Sequence, residues 1–304
     1  MLRFIRCVKL KNNIQHHRSL FLQYCTHEKL SKFSYWKSQY QNKLVNSVEN
    51  KGFDWFLGPD DNITDIIQKH ILEMLLLSRG SEEIVNPLKY LELGCGTSLV
   101  PHKVLTSAIN YLKAHESISN ITSRNTPIVT AVLVDYVQEA LQFQNNLFDR
   151  NLIRSTSDYQ VMCVCADVTS LPLRSETFNL VVDKGTLDSL IRDRTKGKIK
   201  SELMMSEALR ILVKGGRYLQ ISDEDPDVRI EFLDNLWKDV YKRQPLCLSN
   251  DVSNNTSLIR NEGSTLCEDI ESHDKDLNFS SSSWSFQIIQ SKWDQEYFLY
   301  WRDK

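Results

Sequence analysis

Five stretches of this chain are built around apolar runs, and each has the length of a strand. They are LKYLELGCG (88–96), IVTAVLVD (128–135), YQVMCVCAD (159–167), FNLVVDKG (178–185) and GGRYLQIS (215–222). A short continuous apolar run suits a strand buried on both faces. Between and after them lie segments that read as helices, over 99–113, 137–150, about 200–213 and 227–238. Alternation of this kind predicts an α/β fold, a doubly wound and mostly parallel sheet with helices on both faces. The chain closes with WSFQIIQS and EYFLYWR, joined by a short turn holding Lys292 to Asp294, which predicts a terminal antiparallel hairpin. Upstream, helical periodicity runs from Ile63 to Ser78, with Ile63, Ile66, Ile67, His70, Ile71, Met74 and Leu75 on one face.

Charge and cysteine content exclude several classes. Lys+Arg 37 against Asp+Glu 39 leaves no global pull toward nucleic acid. The longest apolar helical stretch, HILEMLLL (70–77), falls far short of the ~20 residues that span a bilayer, so no membrane partner is expected. The seven cysteines form no CxxC and read as reduced thiols. Cys163 and Cys165 lack a matching second pair, so no metal is expected there.

The charge is unevenly placed. Residues 1–27 hold Arg3, Arg6, Lys9, Lys11 and Arg18 and no acid before Glu28. Basic, apolar and hydroxyl residues mixed in this way read as a mitochondrial transit peptide. The expected organisation is therefore a leader over 1–27, an aromatic and helical segment over 28–87, and the α/β domain over 88–304. Polar residues dominate 114–127 and 243–283, and the latter reads as a flexible insertion. A monomer is expected.

The first strand runs into LELGCGTS (91–98), where Gly94 and Gly96 let the backbone approach a ligand at a helix N-terminus. A dinucleotide fingerprint would want glycine where Leu99 stands, which disfavours a nicotinamide oxidoreductase. Glu92 sets a carboxylate where a pyrophosphate would be unwelcome, so a ligand without phosphates, preferably cationic, fits better. Asp135 ends the second strand, placed to accept ribose hydroxyls. Asp167 ends the third, placed to accept from an adenine amino group with Val168 beside the ring. All reach the carboxyl edge of the sheet, where open α/β sheets bind ligands.

This order of glycines and acids resembles the class I S-adenosylmethionine-dependent methyltransferases, over about 88–222. The resemblance implies a Rossmann-like seven-strand sheet and S-adenosyl-L-methionine as cofactor, with Tyr136 among its contacts. VVDKGTLDSL (181–190), YWKSQY (35–40) and FDWF (53–56) resemble the lysine methyltransferases of that class, whose N-terminal segment folds over the cofactor. By that likeness Trp36 and Tyr40 line the cofactor pocket and Lys184 faces its methionine end. Ordinary core packing for the aromatics, and a solvated loop role for Lys184, stay open. SDEDPDVR (222–229) resembles the segment after strand five in the branch acting on mitochondrial citrate synthase, implying that enzyme as protein substrate in the matrix. An elongation-factor or small-molecule methyltransferase on the same fold, and a non-catalytic binding module, remain alternatives.

The acceptor lysine must be neutral, although a free lysine titrates near ~10.4. Asp188 and Asp223 are the candidates for orienting the amine, with helix-capping or turn roles as alternatives. Within SDEDPDVR, Asp225-Pro226 reads as a helix start. That leaves Asp223 and Glu224 to face the acceptor mouth. No metal is expected in this run, since no histidine adjoins it.

Overall fold

A computed structural model describes residues 28–45, 52–77, 87–114, 129–150, 159–243 and 284–304. The leader expected over 1–27, nearly all of the polar stretch 114–127 and the insertion beyond Arg243 lie outside the described residues.

A single-turn 3-10 helix, Glu28–Ser31, precedes helix α1 (Phe33–Val45) and helix α2 (Ile63–Leu77). Strands β1 (Leu88–Leu93), β2 (Val129–Asp135), β3 (Tyr159–Cys165), β4 (Phe178–Lys184) and β5 (Leu212–Ser222) follow, then β6 (Ser285–Gln290) and β7 (Glu296–Asp303). Helices α3 (Val100–Ala114) and α4 (Gln138–Arg150) follow β1 and β2. Helices α5 (Thr186–Ile191) and α6 (Gly197–Ile211) join β4 to β5, and α7 (Pro226–Arg243) follows β5. The sheet order is β3-β2-β1-β4-β5-β7-β6. The first five strands pair parallel, and β7 returns antiparallel between β5 and β6.

Both faces of the sheet are covered, which is why its strands are apolar at successive positions. Tyr90, Ala131, Leu133, Leu180 and Leu219 meet α2, α3 and α4 through Ile67, Ile71, Val104 and Leu141. Their neighbours Leu91, Val132, Val181 and Tyr218 meet α6 and α7 through Met204, Leu209, Leu233 and Trp237. Ile71 is fully buried, so truncation to alanine costs about 2–5 kcal/mol.

Several boundaries depart from the sequence reading. Short helix α5 was not foreseen; Asp183, just before it, accepts from the Thr186 N–H at 2.8 Å and from the Leu187 N–H at 3.3 Å. Helix α6 begins earlier than expected, at Gly197. Strand β5 begins at Leu212 rather than Gly215, because Leu212 pairs with Phe178 before the register shifts to Leu180 opposite Arg217. Gly215, at φ +76, sits in that irregularity.

At the far edge His70 of α2 is locked to β5 and β7. Its Nδ1 lies 2.8 Å from Arg217 Nη1, and Arg217 also donates to Glu73 at 2.7 Å and to Asp303 at 2.6 Å. Burial, followed by the Arg217 charge, pushes the His70 imidazole down to about 4.

Candidate functional site

The carboxyl ends of β1, β2, β3 and β4 open into one cavity, and the strap 52–56 and α1 close it from above. Gly94 and Gly96 take φ +65 and +53, the left-handed region that costs other residues about 1–2 kcal/mol. Space enforces glycine as well. A Cβ on Gly96 would lie 2.8 Å from Tyr40 Oη, and one on Gly94 would run into Thr186 Oγ1. From behind, Gln144 of α4 donates to the carbonyls of Gly96 at 3.0 Å and Ser98 at 2.8 Å, which fixes the turn.

Asp135 ends β2 almost fully buried, accepting from the Gly96 N–H at 2.9 Å and the Val137 N–H at 2.8 Å. Burial outweighs these donors and pushes its carboxyl up to about 6. Asp167 is exposed, and its Oδ1 accepts both the N–H and the hydroxyl of Thr169. Val168 is buried beside it. Glu92 is buried at the end of β1 and accepts from the Tyr90 hydroxyl. Burial pushes it up to about 7, while the Tyr90 hydrogen bond and the Lys184 charge pull the other way.

The aromatics of α1 reach this cavity. Trp36 donates to the Leu30 carbonyl at 2.6 Å and to Ser189 at 3.3 Å. Its ring stacks on Tyr40, with centroids 5.7 Å apart. Both are also buried core residues against Val137 and Ala140, so packing and lining are combined. Tyr136 also lines the cavity and packs edge-to-face on Phe33 of α1, with ring centroids 5.2 Å apart.

The motif DKGTLD divides its labour. Asp183 holds the first N–H groups of α5, and Thr186 donates to the Leu93 carbonyl at 2.8 Å, tying α5 to the end of β1. Gly185, at φ +80, brings the backbone against Trp55 and Phe56. Lys184 lines the cavity, but its ammonium is spent on the strap, donating to Asp54 Oδ1 and to the Trp55 carbonyl, each at 3.1 Å. Asp54 also accepts from Ser98 and from the Leu99 N–H, at the start of α3. The sequence reading quoted FDWF without seeing that Asp54 is the residue anchoring it. Gln144 was missed as well, since a polar residue on a helix carries no signal until the turn it faces is known.

Asp188, Asp223 and Glu224 do not line this cavity. Asp188 is buried and accepts from Arg229 and from Ser222, at 2.8 Å for the latter, so its Oδ1 is committed to the turn after β5. Asp223 stands exposed on that turn. Partial desolvation, followed by the Asp188 charge, raises its carboxyl against the pull of Arg192 and Arg229. Glu224 receives the Tyr300 hydroxyl on its carbonyl, at 2.6 Å. Asp225 caps α7, accepting from the Asp227 N–H at 2.9 Å. Among the described residues, no group of three or more His, Cys, Asp or Glu could hold a metal ion, and no helix is long and apolar enough to cross a membrane.

No family model matches the chain. It is 28% identical over 190 residues to the human citrate synthase-lysine N-methyltransferase, mitochondrial, covering 60% of this chain and 67% of that protein. Its likeness to the protein of the same description from Danio rerio is 26% over 184 residues, covering 60% of this chain and 64% of the relative. The eEF1A lysine and N-terminal methyltransferase homolog of Drosophila pseudoobscura pseudoobscura is 28% identical over 199 residues, but only 23% of that longer protein is matched. Among solved structures, the N-methyltransferase NodS from Bradyrhizobium japonicum in complex with S-adenosyl-L-homocysteine is 14% identical with a TM-score of 0.42, covering 88% of this chain and 98% of that one. The chain is thus similar in sequence to lysine methyltransferases, and it folds into a seven-strand sheet whose first five strands run parallel and whose last strands run antiparallel.

Proposed function

We propose that this protein methylates a lysine of citrate synthase in the mitochondrial matrix, with S-adenosyl-L-methionine as methyl donor. The observation that carries the reading is the cavity at the carboxyl edge, where a left-handed glycine turn and the acids Glu92, Asp135 and Asp167 converge. These residues suit a purine nucleoside bearing a cation: Gly94 and Gly96 leave room a Cβ would fill, and the lysines that line the cavity, Lys184 and Lys200, are paired with Asp54 and Asp193. Citrate synthase as substrate, and the mitochondrion as address, draw on the names of the relatives and on the basic residues 1–27.

The cofactor supplies an activated methyl on a sulfonium. The protein's residues then have to bind and align. Asp135 offers its carboxylate to the ribose hydroxyls and Asp167 to the adenine amino group, while Val168 packs beside the ring. Trp36, Tyr40 and Tyr136 wall off water, and Glu92 places negative charge where the sulfonium arrives. Alignment of donor and acceptor is worth about 7–11 kcal/mol. An apolar slot favours the neutral amine over the ammonium, which releases its proton before transfer. Asp223 and Glu224, on the turn after β5, meet the incoming lysine; Asp188 shapes that turn through Ser222 and Arg229.

The test is to incubate the protein with tritiated donor and a matrix extract, then map the labelled residue by mass spectrometry. Label on a lysine of citrate synthase is expected. Label only on elongation factor 1A supports the second reading, which the likeness to the eEF1A methyltransferases favours. Label confined to a small metabolite sinks both.

A further inference from the structure

We propose that the acceptor lysine reaches the cavity across the face of Trp55, through a portal walled by Phe56 and Tyr297, and that Arg192 keeps the place of its ammonium until substrate binds. The proposal rests on the methyltransferase reading and adds the acceptor route and its resident cation.

Rings carry the argument first. Trp55 lines the cavity, and Phe56 and then Tyr297 extend a chain of ring contacts from it. The centroid of Trp55 lies 4.8 Å from that of Phe56, and Phe56 lies 5.5 Å from Tyr297 on β7. Flat aromatic walls of this kind accept the methylene stem of a lysine and attract its charged tip. All three rings are only partly buried, so the wall meets solvent at its outer end.

Backbone geometry points the same way. Phe56 takes φ +71, a conformation that a bulky side chain adopts only when its surroundings enforce it. The enforcement is visible: Lys184 holds the Trp55 carbonyl, and the rings of Trp55 and Phe56 lie against Gly185, where an added Cβ would sit 3.1 Å from each. An outlier of this kind held in place beside a ligand cavity is where a functional role is to be sought.

Charge completes the portal. Asp223 and Asp61 are within electrostatic reach of the Tyr297 hydroxyl, and Arg192 within reach of Asp223. The Arg192 guanidinium carbon lies 5.7 Å from the centre of the Trp55 ring. A side-chain cation therefore already rests on an aromatic face beside an acid, which is the environment an incoming lysine ammonium needs. Arg192 occupies it from the end of α5, and a substrate lysine takes it over by displacing the guanidinium.

The experiment measures steady-state methylation of citrate synthase, or of whichever protein band the wild type labels, by Arg192→Gln, Arg192→Lys and Trp55→Phe. Calorimetric titration of each with S-adenosylhomocysteine checks the cofactor site. Removing a competing cation from an exposed aromatic face is expected to lower KM for the protein substrate about two- to five-fold in Arg192→Gln, whereas Arg192→Lys stays near wild type. Trp55→Phe, a weaker cation-binding face, is expected to raise KM. Cofactor affinity in the Arg192 variants is expected to hold. An Arg192→Gln enzyme with KM unchanged or raised overturns the placeholder role, and a Trp55→Phe enzyme with unchanged KM overturns the route. A wild-type enzyme that labels no lysine of any protein overturns the methyltransferase reading itself, and the portal with it.

Discussion

The ammonium of Lys184 stands 3.1 Å from Asp54 Oδ1, and the two side chains are only 5% and 11% exposed. A strap residue and a strand-end residue, far apart in sequence, thus share a nearly dry ion pair that pins the strap over the cavity. Such a pair adds little net stability, but removing one partner strands a charge. Lys184→Met is therefore expected to lower unfolding free energy by about 3–5 kcal/mol, and to weaken S-adenosylhomocysteine binding as the strap loosens. The double variant Lys184→Met/Asp54→Asn should lose less than the two single losses summed. Urea unfolding and calorimetry read both; strict additivity would show that the pair does not couple strap to strand.

The glycine turn offers a steric test. Gly96→Ala places a methyl 2.8 Å from the Tyr40 hydroxyl, while the next ring atom, Cζ, lies at 3.4 Å. Combining it with Tyr40→Phe removes the clash and leaves the backbone cost of about 1–2 kcal/mol. Cofactor affinity is expected to collapse in Gly96→Ala and to recover in part in the double variant. No recovery would mean that backbone strain alone carries the defect.

Stability and cofactor binding are expected to respond to pH with opposite signs. Burial raises Glu92 and Asp183 to about 7 and Asp135 to about 6, above their unfolded values, so between roughly pH 7 and 4 the native state holds protons that the unfolded chain has released. Their contribution to stability therefore rises as pH falls through that window. His70 opposes it: lowered to about 4, it stays neutral while the unfolded imidazole charges below about 6.5. Three carboxylates against His70 and His102, the latter also lowered by burial, predict a higher melting temperature for the cofactor-free protein at pH 6 than at pH 7.5, and a steeper trend in His70→Gln. Affinity for S-adenosylhomocysteine should fall over the same range, because Asp135 accepts ribose hydroxyls as an anion. A parallel rise of both quantities on acidification would contradict this assignment.

The turn after β5 carries the substrate prediction. Asp223→Asn and Glu224→Gln are expected to raise KM for the protein substrate several-fold while leaving S-adenosylhomocysteine affinity unchanged, since neither lines the cavity. Unaltered KM in both variants would return SDEDPDVR to a capped turn, with Asp225 its working residue.

Much of this was readable in the chain itself. Gly94, Gly96, Asp135 and Asp167 announce their places because a glycine turn after a buried strand, and acids ending the next two, follow from local pattern. Asp188 did not announce its own place. It stood as a candidate for orienting the amine, with helix capping as the alternative, yet Arg229 from α7 donates to its Oδ1, and nothing in residues 181–190 records that helix. Lys184 was legible as a cavity residue, and the structure shows its charge turned to Asp54.

By itself the sequence determined the strand-helix alternation, the terminal hairpin, the glycine turn and the carboxyl-edge acids. Each rests on residues within one element, where period, capping and strand-end chemistry act over a few positions. Only the tertiary structure decided which charges are spent and which face the ligand, because pairs such as Lys184 with Asp54, Asp188 with Arg229 and Arg192 with Trp55 join elements that folding alone brings into contact.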